Sequence, residues 1–225
     1  MNYEIKSNLH SIEISHSLAM EYIHGVQMDG DWDFFEPTRF IYAFFAFNMI
    51  YSIDWNLTLK KNRLMYQRKG IENYAKNQFQ SVINFVFDND DKAFENALEF
   101  LDKSRELYSV VSTMEMDHNS NRKSTRNTGN TISQDFLSAS KKFSHNMDLL
   151  ASDHFDLLQM SYTVRNNLFH GEKKAHQMKE QGHRNRLLHY GNIILATNES
   201  FFKVMKSHFQ YKRIENWEVL DNLYQ

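Results

Sequence analysis

The chain has 225 residues, of which 41% are hydrophobic and 14% aromatic, with a formal net charge of −2 and no cysteine. That composition is globular and long enough to bury one substantial core. It excludes disulfide scaffolds, thiolate zinc sites and cysteine nucleophiles, and it offers no overall basic field for a nucleic acid. One proline and seven glycines are too few for a turn-rich sheet protein of this size, so long helices are expected. From the amino terminus, apolar residues at Ile5, Leu9, Ile12, Leu18, Tyr22, Ile23 and Val26 predict a helix over 3–28. No uninterrupted apolar stretch of the kind a signal peptide needs occurs in residues 1–18. A polar turn, 29–33, follows. Its alternating Asp29, Asp31 and Asp33 resemble a calcium loop, but Phe34 stands where such a loop requires glycine, so calcium is not expected.

Pro37 suits the first turn of a second helix, over about 37–60. Phe40, Ile41, Phe44, Phe45, Phe47, Ile50, Tyr51 and Trp55 cover more than one stripe of it, which predicts a place at the centre of a bundle or across a dimer interface. The apolar run 40–53 is interrupted by Asn48 and Ser52 and falls short of the roughly 20 residues needed to span a bilayer. A cytoplasmic location without membrane attachment is therefore expected. A third helix is predicted over 70–87. A fourth, capped by Asp88–Asp91, carries Phe94, Leu98, Leu101, Leu107 and Val110. Residues 117–131 contain no large apolar side chain and read as a mobile polar loop. Helices over 133–150, 152–170 and 182–209 follow, with a short one near 217–223. The reading is a single all-α domain over 1–225, with core helices in about 37–112 and 133–209.

The helix over 152–170 ends on Arg165-Asn166-Asn167-Leu168-Phe169-His170-Gly171, with Ser152 or Asp153 as its cap. A guanidinium can hold a phosphate through two parallel hydrogen bonds, and an imidazole moves protons near neutral pH without a metal. Together they are the minimum needed to cleave RNA through its own 2′-hydroxyl. Asn166 and His170 fall one turn apart on nearly the same helix face. Arg165 and His170 lie about 140° apart in a regular helix. Arginine's length, a helix end at Gly171, or a second copy of the helix across a twofold axis would close that gap. Between Arg165 and Arg186 six basic residues face two acidic ones, a local surplus that would attract phosphates.

Ten arginines and eleven histidines yield about half an R-x-x-x-x-H match by chance. A second match does occur, Arg184-Asn185-Arg186-Leu187-Leu188-His189. The first is preferred because it ends a helix at a glycine and leads into Glu172-Lys173-Lys174, whereas Leu187, Leu188, Ile193, Ile194 and Leu195 surround the second with packing residues. His176, His183 and His189 have six-residue spacings that no helical metal pair uses, and read as surface or incidental.

The string RNNLFHGEK resembles the R-N-x-x-x-H signature of the HEPN superfamily, many of whose members are metal-independent endoribonucleases. Phe44-Phe45-Ala46-Phe47-Asn48-Met49-Ile50-Tyr51 is similar to the aromatic-rich F-N-x-x-Y helix that bacterial members place upstream, facing the motif. The likeness is concentrated in 165–173, weaker over 40–55, and architectural elsewhere. It implies an antiparallel helical bundle of four or five helices that dimerises with its motifs lining a shared cleft. It also implies Arg165 and His170 as the catalytic pair, with Asn166 as the polar residue accompanying the arginine. Asn48, Tyr51, Asn167 and Lys173 would be substrate neighbours. No cofactor or metal is expected. RNA is the expected partner, beside a second copy of the chain and an antitoxin or nucleotidyltransferase. A toxin or antiphage role would fit. The competing readings are a non-catalytic helical dimer that binds RNA, a nucleotide or a protein through the same cleft, and a purely structural interaction protein.

Overall fold

The computed structural model describes residues 3–21, 35–52, 74–112, 134–169 and 180–209. Among them all regular structure is α-helical, in eight helices without a strand. They are α1 (Tyr3–Glu21), α2 (Phe35–Tyr51), α3 (Tyr74–Asn89), α4 (Ala93–Leu101), α5 (107–112), α6 (Gln134–Ser144), α7 (Ala151–Phe169) and α8 (Gln181–Phe209). No described helix is long and apolar enough to cross a membrane.

The spine is α8, 29 residues and therefore about 43 Å long. It packs against α1, α2, α3, α4 and α7. Every residue from 189 to 198 is buried, polar ones included, because neighbours surround this stretch rather than lining one face. The polar side chains there are tied to adjacent helices: Asn198 donates to the Ala43 carbonyl at 3.0 Å and Asn192 accepts from Arg39 at 2.7 Å. On α2, Phe40, Phe44, Phe47 and Ile50 recur at helical spacing and are fully buried, whereas Phe45 on another face is exposed.

Direction can be read from the cross-helix bonds. His154 meets Thr197 and Ser161 meets the Tyr190 carbonyl, so α7 and α8 run antiparallel. The pairs Arg39–Asn192 and Ala43–Asn198 advance together, so α2 runs in the same sense as α8.

Three expectations change. The predicted fourth helix is two pieces, α4 and α5, broken at Asp102–Glu106. α4 ends where Asp102, its C-cap, leaves helical geometry at φ −121° and ψ 63°; Asp102 accepts from Ser104 at 3.1 Å, and Arg105 further along the break adopts a left-handed φ of 51°. The predicted helix over 133–150 stops at Ser144, where Asn146, a residue tolerant of the left-handed region, takes φ 58°. The start of α7 departs from expectation: the helix begins at Ala151, so Ser152 and Asp153 lie inside it, and Asp153, its third residue, accepts the Leu150 N–H at 2.8 Å and the Lys142 ammonium at 2.7 Å. This is the reciprocal half of a capping box, closing an otherwise orphan donor. The polar loop 117–131, the turn 29–33 and the short helix near 217–223 lie outside the described residues, as does the second helix beyond Ser52.

Candidate functional site

The described part of the R-N-x-x-x-H motif sits on the last turns of α7. Side chains of a helix lean toward its N-terminus, so Arg165 reaches back over Tyr162, one turn earlier. Its guanidinium carbon stands 5.1 Å from the ring centroid of Phe44 on α2 and 6.0 Å from that of Tyr162. The planar cation is therefore held against two aromatic faces, each such contact being worth about 0.5–2 kcal/mol depending on exposure. One terminal nitrogen donates to the Asn166 side-chain oxygen at 2.9 Å. Arg165, Asn166 and Tyr162 are all half-buried.

The shelf beneath the arginine is built from three helices. Tyr162 packs 5.8 Å from Phe44 and 5.0 Å from Phe79 of α3, centroid to centroid. Tyr51 of α2 meets the same Phe79 at 5.0 Å and Phe47 at 5.2 Å. The Tyr51 hydroxyl donates to the side-chain oxygen of Asn48, one turn back on α2. Burial pushes the Tyr51 hydroxyl above its ordinary range, Tyr162 adds to that, and Arg165 opposes it. Asn48, Tyr51, Tyr162 and Arg165 thus occupy one neighbourhood, half-buried and joined through a common aromatic cluster. Phe44 of α2 touches the motif helix directly, and Phe47 and Tyr51 are linked to it through Phe79.

His170, Gly171 and Lys173 lie outside the described residues, as does the side chain of Asn167. Tyr162 lies outside the R-N-x-x-x-H string. Its spacing of three before Arg165 was the signal that it would form the arginine's platform. Phe79 carries no local signal, since its place depends on how α3 crosses α7.

The second R-x-x-x-x-H match corrects an expectation. His189 is neither at the surface nor incidental: it is 5% exposed, and its Nδ1 lies 2.5 Å from a carboxylate oxygen of Asp102, itself 3% exposed. Leu187, Ile193, Ile194 and Leu195 are buried as packing residues, as expected, while Leu188 lines a pocket. His183 lies at 3.3 Å from Glu180 and contacts Arg186 within the first turns of α8. Among the described residues no three His, Asp or Glu side chains converge as metal ligands.

No family model matches the chain, and neither a curated protein nor a solved structure matches it. The described residues define an all-helical protein whose motif arginine is mounted on an aromatic shelf at the end of α7.

Proposed function

We propose that the chain is a metal-independent endoribonuclease of the HEPN type. The observation that carries this reading is the fixing of Arg165. A guanidinium held by Phe44, Tyr162 and Asn166 is oriented before any substrate arrives, so little reorganisation accompanies charge development on a phosphate. His170 follows in the motif and supplies the proton transfers. It takes the proton of a ribose 2′-hydroxyl as that oxygen bonds to phosphorus, and it, or its counterpart in a second copy, protonates the departing 5′-oxygen. Arg165 stabilises the phosphate oxygens between these events. The products are a 2′,3′-cyclic phosphate and a free 5′-hydroxyl. DNA, lacking the 2′-hydroxyl, is not cut. Asn48 and Tyr51, beside the arginine, would contact the sugar or base flanking the cleaved linkage.

The end-group chemistry tests this reading. Mass spectrometry of products formed in EDTA should find cyclic phosphate termini, and an RNA with one 2′-deoxy position should resist cleavage at that position alone. A second reading, a non-catalytic dimer that binds RNA, a nucleotide or a protein through the same cleft, draws on the net charge of −2, which favours no extended polyanion track. Intact RNA recovered from a stable complex with the wild-type protein would select it.

A further inference from the structure

A second polar cluster lies where the N-terminal part of α2, the break after α4 and the first half of α8 meet. A pocket of about 290 Å³ opens there, lined among others by Arg39, Asp102, Lys103, Asn185, His189 and Asn192. No residue of α7 lines it, so it is distinct from the Arg165 shelf.

Its chemistry is unusual for a fold interior. Arg39 is 3% exposed; one terminal nitrogen donates to Asn192, and its Nε is buried without an acceptor. Burial pulls the guanidinium down to about 10, with Asp102 opposing. His189 directs Nδ1 at the Asp102 carboxylate, so Nδ1 carries a proton, and in the neutral tautomer that this contact selects Nε2 is left as an acceptor. Asn185 accepts from Gln181 through its oxygen, which leaves its amide nitrogen as a donor. A structural tether would close over such groups, because buried ionic clusters contribute little net stability compared with apolar packing. Here they surround an open cavity instead.

We propose that this pocket binds a phosphate group carried by a small molecule. Arg39 and the asparagine amides donate to its oxygens, and Nε2 of His189 accepts the proton of its P–OH. The charges at the site set the choice. Arg39 and Lys103 are offset by Asp102 and Glu106, so an anion is not drawn in by net charge alone and must set its acceptors against the site's donors and its donor against the site's acceptor. A phosphate in its monoanionic form offers both kinds of atom. Sulfate has no proton to give. The cavity is at the small end of ligand pockets, which suits a phosphate with a sugar-sized body rather than a polymer.

The test is calorimetric titration of the full-length protein with inorganic phosphate, ribose 5-phosphate and sulfate. Saturable phosphate binding is expected, with sulfate weaker by about ten-fold or more, the effect of one lost charge-assisted hydrogen bond. Tighter binding of the ester identifies a sugar phosphate as the ligand, and equal binding identifies the free anion; both support the pocket. Lys103 is exposed, and its ammonium lies 5.3 Å from the centroid of the Phe100 ring, so Lys103→Glu leaves the core alone. It should weaken phosphate binding by about five- to ten-fold through charge reversal at the rim, whereas Arg165→Ala should leave it unchanged. Failure of the wild type to bind phosphate, equal affinity for sulfate, or loss of binding in Arg165→Ala but not in Lys103→Glu would overturn the proposal. None of these outcomes depends on nuclease activity.

Discussion

His154 makes the fold acid-sensitive in a way that can be calculated. It is fully buried, with its ring stacked on Phe94 at 3.5 Å and 10° between planes. Its Nε2 lies 2.8 Å from the Thr197 hydroxyl. That hydroxyl already donates its proton to the Ile193 carbonyl at 2.9 Å, so Nε2 must be the donor and Nδ1 carries the lone pair. Nδ1 is buried with no hydrogen-bond partner, and protonating it would place a cation among apolar groups. Burial accordingly holds the imidazole down from its ordinary 6.5 to about 3. In the unfolded chain the ring protonates near 6.5, so below that pH the unfolded state binds the extra proton and stability falls as pH falls. The contribution is intact above about 6.5 and declines by about 1.4 kcal/mol per pH unit until the folded ring itself protonates near 3. From pH 7 to pH 5 this amounts to about 2 kcal/mol. Urea unfolding of the wild type and His154→Phe at both pH values measures it. The phenyl ring preserves the stack on Phe94, and the variant should lose about 2 kcal/mol less over that interval. Equal losses in the two proteins would refute the burial argument.

Three other substitutions probe separate parts of the account. In the interior of α8, Gly191 has room for a side chain, since an added Cβ would meet Phe40 atoms at ordinary contact distances of 3.8–4.0 Å. Gly191→Ala should therefore raise stability by about 0.5–1 kcal/mol, read from the urea midpoint. Asp102→Ala removes the buried partner of His189 and the counter-charge of Arg39, and should cost about 3–5 kcal/mol in the same assay. Arg165→Lys keeps the charge but loses the planar face on Phe44 and Tyr162. Melting temperature should change little, and RNA cleavage should fall nearly as far as in Arg165→Ala.

Local periodicity carried the helices, and non-local pairing carried what the sequence concealed. The long final helix was legible from its apolar spacing and begins at Gln181, one residue before the predicted Gly182. The α4–α5 break was hidden by a run of leucines at 98, 101 and 107. The six-residue step from Leu101 to Leu107 was the clue, because a continuous helix would place its next inward residue three or four positions on. Arg165 and Tyr162 are neighbours by helical spacing alone, and the F-N-x-x-Y segment pointed to Tyr51 and Asn48. His189 was misread because its partner, Asp102, is 87 residues away. The bond between Arg39 and Asn192 spans 153 positions. No spacing rule reaches so far, and a lone arginine in the most apolar helix was the one available hint of that pocket.

The central claim is that Arg165 and His170 act as a unit on a ribose-linked phosphate. Initial rates of RNA cleavage in EDTA should be compared for the wild type, Arg165→Ala, His170→Ala and the double variant, each confirmed to be folded. The account predicts losses of about 10²–10⁴-fold for His170→Ala, a loss of similar order for Arg165→Ala, and little further loss when the two are combined. Wild-type cleavage that stops in EDTA, or a His170→Ala protein that cuts at the wild-type rate, would contradict it.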